Sequence, residues 1–364
     1  MIERLVIKGY KSIKDQSVDL RNVNIFIGGN GVGKSNFISI FSLIRNLYEG
    51  NLEGYVIEKG GVDNLLYFGK KETQQIDLDF QFSGNEEGVN KNRFLINLKE
   101  AQDSLYIKYL ATAFMPVSIW HEKEYERNVK ESNFRNINNG QAYFVNDRLK
   151  EFEVYHFHDT GDNSPMKAKC NIDDNQRLKK DGSNIAAFLF YLKEKHPKHF
   201  LRIEKTIQSI APFFDRFVLA PNRLKEDQIQ LEWREVGAPD SYFNASNLSD
   251  GTLRFICLTT LLMQPNPPKT VIIDEPELGL HPFAINKLAG LIKKASKEVQ
   301  LIVSSQSVNL IDNFEPEDII TADREEKATV FKRLDQSDLK LWIEEYSLGE
   351  VWEKNIIGGQ PFNR

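Results

Sequence analysis

Short apolar runs that stop at turns, separated by stretches of helical period, set the expected architecture of this 364-residue chain. Residues 2–8 alternate as a strand, and 16–20 are placed to pair with them as a hairpin. Residues 22–27 read as a short buried strand, and 36–45 repeat with the period of a helix. Period-two alternation at 76–82 and 93–99, with turn chemistry at 84–91 between them, predicts antiparallel strands. From about 101 to 217 the texture changes to polar runs and helical stretches (184–195 and 199–214), so a largely helical insertion is expected. A strand at 228–234 and a helix after Gly251 resume the core. The strand 270–274, the helix 283–296 and the strand 300–304 then form a right-handed βαβ unit. Residues 339–352 read as one amphipathic helix carrying Trp342 and Trp352, with an exposed tail at 356–361. Strands alternating with helices predict an α/β fold built on a mostly parallel sheet, with N-terminal antiparallel strands beside it. The expected divisions are an N-terminal lobe 1–100, an inserted lobe 101–217, a C-terminal lobe 218–335 and a helix and tail 336–364.

Chemistry collects where strands end. Between the strand at 22–27 and the following helix lies Gly28-Gly29-Asn30-Gly31-Val32-Gly33-Lys34-Ser35-Asn36, the spacing of a P-loop in its required strand–loop–helix context. Glycines at these positions let successive backbone N–H groups wrap phosphate oxygens, and the helix adds its positive end. This predicts a P-loop NTPase in which Lys34 bridges the terminal phosphates of ATP and the Ser35 hydroxyl ligates Mg²⁺. The apolar run 271–273 stops at Asp274 and Glu275, a metal-binding carboxylate and a general base or water-positioning group. Gln306 follows the next buried strand, where its amide can reach a γ-phosphate or the attacking water. Leu248-Ser249-Asp250-Gly251-Thr252 opens a helix but has no evident partner within its own subunit.

Composition changes little of this. Hydrophobic residues make up 41% and charged residues 27%, and the formal net charge is -5, so no overall basic field advertises nucleic-acid binding. Two cysteines, no membrane-length apolar run and no signal-peptide pattern fit a cytoplasmic protein. His156 and His158 share one strand face with Asp162 nearby, but nothing completes a ligand set, and a packing or nucleotide-proximal role is expected. The basic and aromatic stretch 123–148 has acids mixed in and reads as a solvated face.

In combination the motifs resemble those of ABC-type ATPases. Residues 248–252 look like their signature, Asp274-Glu275 like the end of their Walker B strand, and 278–281 lie where their D-loop lies. The set is most similar to the chromosome-maintenance (SMC), RecF and OLD branch, and within it to stand-alone AAA family ATPases, many from bacterial anti-phage operons. The resemblance covers about 1–100 and 215–335. It implies ATP and Mg²⁺ as cofactors and a homodimer through shared ATP sites, with Ser249 and Gly251 meeting the nucleotide of the other subunit. It also implies that Lys11 and Ser12 approach the nucleotide from the first hairpin. Three departures stand out: Gln306 replaces the histidine of transporters, His281 replaces the D-loop aspartate, and the Q-loop glutamine is not evident, although Gln74 and Gln75 lie in a plausible region. No nuclease acid cluster follows Gln306, so a separate effector protein, nuclease or toxin, is expected. The implied role is the regulatory subunit of a defence complex, with a RecF-like repair ATPase acting on DNA as the alternative. Higher assembly and contact with nucleic acid stay open; no membrane is implied.

Overall fold

The computed structural model describes residues 1–84 and 89–359, arranged in two compact units. Unit 1 comprises Met1–Val154, Lys269–Ile272 and Val299–Arg364; unit 2 comprises Tyr155–Pro268 and Ile273–Glu298. The turn expected at 84–91 and the end of the tail at 356–361 fall partly outside the described residues.

Unit 1 begins with the expected hairpin, β1 (Ile2–Tyr10) and β2 (Ile13–Asp19), paired antiparallel. Its first sheet adds β4 (Gln75–Phe82), β5 (Lys91–Ala101), β6 (Ser104–Met115) and β7 (His121–Glu126) in the order β2-β1-β4-β5-β6-β7. Alternation does the work in β4, where Ile76, Leu78, Phe80 and Phe82 are buried and the residues between them are not. The second sheet runs β17-β16-β3-β15-β14-β8, with β3 (Val23–Ile27), β8 (Val154–Tyr155), β14 (Thr270–Asp274), β15 (Gln300–Ser305), β16 (Ile319–Glu325) and β17 (Ala328–Arg333). β3 is parallel to both β15 and β16, while β17 closes the edge antiparallel to β16. Every residue of β3 and β15 is buried, which is why they read as runs and not as alternating strands.

Helix α1 (Lys34–Glu49) buries Phe37, Ile38, Ile40, Phe41, Leu43, Ile44 and Leu47. Burial of each larger side chain contributes about 1.5–3 kcal/mol. Phe37 stacks on Phe26 of β3 at 4.3 Å, so the strand before the glycine loop and the helix after it are locked together. Gln300 ties the two sheets: its side chain accepts from the Ile2 amide at 2.9 Å and donates to the Ile2 carbonyl at 2.7 Å. Helices α2 (Leu52–Glu58) and α3 (Gly140–Leu149) also belong to this unit.

The C-terminal part of unit 1 departs from expectation. Residues 339–352 form not one helix but α9 (Gln336–Ile343) and α10 (Leu348–Glu353), after the short α8 (Val308–Ile311). The break is a capping box: Ser347 accepts from the Glu350 amide and Glu350 accepts from the Ser347 amide, which starts a new helix.

Unit 2 holds α4 (Ile185–Lys195), α5 (Pro197–Gln208), α6 (Asp250–Met263) and α7 (Pro282–Ala295). Strands β10 (Phe214–Val218), β12 (Glu232–Glu235) and β13 (Ala238–Asn244) make a small antiparallel sheet, and β9 (Cys170–Asn171) pairs with β11 (Gln228–Ile229). Trp233 stacks on Phe243 at 5.0 Å and on Phe214 at 6.0 Å to hold the small sheet together. The strand expected at 228–234 is thus two short strands, β11 and β12, in different sheets. Residues 101–217 contain α3, α4 and α5, and also β6 and β7, which the polar texture of that segment did not signal.

Candidate functional site: a glycine cradle and a signature turn

In unit 1 the glycine loop follows the C-terminal end of β3. Gly33 takes φ 118° at the N-cap of α1, and no side chain caps the helix, so its first amides are not spent on an internal acceptor. Gly31 has φ 77° with nothing within 4 Å of where a side chain would stand, which leaves the crest of the loop open. Asn30, Gly31 and Ser35 are exposed, while Lys34 is buried. The Lys34 ammonium donates to the carbonyls of Gly28 at 2.5 Å and Gly29 at 3.0 Å. It is therefore folded against the loop it serves, with its charge inside the cradle.

The loop is braced from behind. The hydroxyl of Thr329, on β17 and fully buried, donates to the Val32 carbonyl at 2.7 Å and stands 2.7 Å from the Ser12 hydroxyl. Asn36 donates to the same Ser12 oxygen at 2.7 Å. A side chain at Gly33 would meet the Thr329 hydroxyl at 2.2 Å. Ser12, expected to approach the nucleotide, is buried and serves this brace; Val32 and Asn36 contribute through the same network. Thr329 is the residue sequence reasoning missed. It lies almost three hundred positions from the loop, and a threonine in an alternating edge strand carries no signal.

Lys11 holds a left-handed backbone (φ 49°), and its ammonium donates to Ser39 at 2.9 Å. Burial, with the Lys59 charge adding to it, pulls its pKa down to about 8. Lys11, Ser12 and Asn36 line a cavity of about 710 Å³ together with Phe68, Lys70 and Lys71. Phe68, also left-handed (φ 53°), is 53% exposed, so an aromatic side chain stands open at this cavity, while the Lys70 ammonium pairs with Asp103. Neither residue of the Q-loop candidate is buried, and the Gln75 amide donates to Asp77 on its own strand. Gln306 follows β15, partly buried, before the Ser307 cap of α8.

In unit 2 the signature turn has work of its own, contrary to expectation. Ser249 is the N-cap of α6: its hydroxyl accepts from the Thr252 amide at 3.2 Å and pairs with the Thr252 hydroxyl at 2.8 Å. Gly251 lets the D-loop pass, because a side chain there would meet the Gly279 carbonyl oxygen at 2.4 Å. Both residues are thus required at home; Ser249 remains exposed. Asp274 closes β14, and Glu275 after it is held at φ 43°, a strained conformation for a residue with a side chain. His281 is structural: its Nδ1 accepts from the Phe283 amide at 3.2 Å and caps α7. His156 and His158 lie not with Asp162 but with Asp274, their ligand atoms all within 4.8 Å of one another. Within the basic stretch 123–148, Arg127 pairs with Glu124 and Arg148 lies over the Phe144 ring.

Among solved structures the chain is similar to the Smc head crystallised with the C-winged helix domain of ScpA. The TM-score is 0.59 and the identity 17%, covering 93% of this chain and 99% of that one. The Smc head with an extended coiled coil bound to the C-terminal domain of ScpA, from Pyrococcus furiosus, matches with TM-score 0.57 and 15% identity, over 94% and 98%. The SMC head domain from Thermotoga maritima matches with TM-score 0.50 and 13% identity, over 92% and 99%. At these identities the likeness is one of fold: an SMC-type head built on a P-loop α/β core. No curated protein matches the sequence. Among the described residues no helix is long and apolar enough to cross a membrane. A family model described as "AAA domain, putative AbiEii toxin, Type IV TA system" matches residues 23–312, and the chain belongs to that family of ATPase domains.

Proposed function

We propose that this chain binds and hydrolyses ATP with Mg²⁺ and uses the nucleotide to join two copies head to tail. The observation that carries the reading is the cradle. An uncapped helix N-terminus, a loop open at Gly31 and a lysine ammonium on the loop carbonyls make a receptor for a polyphosphate. The loop amides from Gly28 to Gly33 wrap the phosphates, and Lys34 leaves its carbonyls for phosphate oxygens. Phe68 offers a stacking face to the base, with Lys11 lining the same cavity.

Ser35 and Asp274 are the residues that would hold Mg²⁺; when bound, the ion neutralises charge building on the terminal phosphates. Glu275, strained at the end of β14, takes the role of orienting and deprotonating the attacking water. Gln306 donates its amide to the γ-phosphate or to that water. Ser249 is exposed at the opening of α6, so its hydroxyl and the helix end are available to a second chain's γ-phosphate even while they cap the helix. Hydrolysis removes the group that both chains hold and releases the pair, a population shift set by differential contacts.

The biological reading is a switch subunit of a bacterial defence complex whose toxic or nucleolytic step belongs to a separate protein. The toxin–antitoxin wording of the family description supports the defence setting, though not the separate effector. The net charge of -5 also favours it over a clamp acting directly on DNA. Mixing tests the head-to-tail site. Lys34→Ala chains and Ser249→Arg chains should each be inactive alone and regain ATPase activity when combined, because one intact composite site then forms. Absence of recovery, with both variants folded and the Ser249→Arg chain still binding ATP, overturns the shared site.

A further inference from the structure

Sequence alone offers His156 and His158 only Asp162 as a third ligand. The fold supplies a better one, Asp274, the carboxylate that ends β14. Tyr155 and Phe157 are buried, so their neighbours His156 and His158 are turned to the opposite side of the extended segment. That segment is fixed at three points. The His156 amide donates to the Lys180 carbonyl at 2.9 Å, and Arg254 of α6 donates through Nε to the Phe157 carbonyl at 2.8 Å and through its other end to the His158 carbonyl at 3.2 Å. Arg254 is itself buried, so the backbone that carries the two imidazoles is firmly held, a hold that does not extend to rotation of the rings. Nδ1 of His156 stands 4.0 Å from a carboxylate oxygen of Asp274, too far for a hydrogen bond and close enough to share an ion. Nδ1 of His158 is enclosed and has no hydrogen-bond partner among the described residues.

We propose that His156, His158 and Asp274 form a binding site for an imidazole-preferring divalent cation of the zinc class. Two imidazoles and one carboxylate favour such an ion over Mg²⁺, which prefers oxygen ligands and keeps its water. Three protein ligands leave coordination positions open, as in sites that exchange a ligand and unlike closed structural sites. Ligand atoms in a tetrahedral zinc site lie roughly 3.3 Å apart. Atoms now within 4.8 Å of one another therefore close on the ion through side-chain rotation alone. All three residues lie in unit 2, so the site does not depend on the ATP reading. Its consequence for that reading is competition: a cation held here occupies the carboxylate assigned to Mg²⁺.

The test uses nucleotide-free protein and Co²⁺ as a coloured probe, with Zn²⁺ as competitor. One equivalent of Co²⁺ should bind with the visible absorption of a low-coordinate site, and Zn²⁺ should bleach it. His156→Ala and His158→Ala should each weaken binding at least about tenfold, and the double variant should abolish the absorption. Each variant's melting curve without metal shows whether it is folded; His158→Gln, which keeps a polar side chain, serves if His158→Ala is not. Stoichiometric binding that survives in the folded double variant, or no binding by the wild-type chain, overturns the proposal.

Discussion

Gly251→Ala separates what the signature turn does within its own chain from what it does for a second chain. The added methyl carbon would sit 2.4 Å from the Gly279 carbonyl oxygen, which is backbone and has no rotamer to yield. Restoring ordinary contact requires a displacement of about 1 Å between the start of α6 and the D-loop, and overpacking of this kind costs about 1–3 kcal/mol. Gly251 does not have a positive φ, so the penalty is steric and not conformational. Urea denaturation without nucleotide reads it directly: the midpoint should fall with an unchanged slope. Ser249→Asp is the companion. Aspartate is as good an N-cap as serine, so stability should hold within about 0.5 kcal/mol. Its charge would repel an incoming phosphate, so ATP-dependent pairing should be lost. A Gly251→Ala chain as stable as wild type in the absence of nucleotide refutes the packing argument.

Three further outcomes follow from unit 1. Thr329→Val keeps the shape but removes the hydroxyl that supports Val32 and Ser12. It should lower stability by about 1–3 kcal/mol and weaken ATP binding by isothermal titration. Lys11, pulled down to about 8 from 10.5, is more readily deprotonated in the folded chain. Its destabilising effect is full below pH 8 and fades as pH rises toward 10.5, so stability measured by denaturation should climb across that window. Lys11→Met should flatten the climb. ATP affinity should fall over the same range in the wild-type chain as the charge is lost. Phe68→Ala should weaken ATP by about 1–3 kcal/mol, the worth of one base–aromatic stack, while leaving inorganic triphosphate binding unchanged.

Much of the architecture was legible because local signals and burial agree. β3 and β15 are buried throughout and mostly apolar since both faces are covered, and β4 alternates since one face is. The P-loop is contiguous, and its glycines answer to backbone angles that few other residues adopt. What stayed hidden depends on partners distant in the chain. Thr329 and Ser12 brace the loop across more than three hundred residues. Gly251 faces Gly279, and Asp274 replaces Asp162 beside the histidines. No periodicity encodes such meetings. The split of 339–352 into α9 and α10 was encoded, in Ser347 and Glu350, but an amphipathic pattern running through both helices masked the stop.

The central claim is that ATP joins two chains through sites each completes for the other. Glu275→Gln should bind ATP but hydrolyse it poorly, which holds the paired state long enough to weigh. Light scattering of this variant with ATP and Mg²⁺ should give twice the mass of one chain, returning to the single mass when Ser249→Asp is added. A Glu275→Gln chain that binds ATP normally and keeps the mass of one chain contradicts the account.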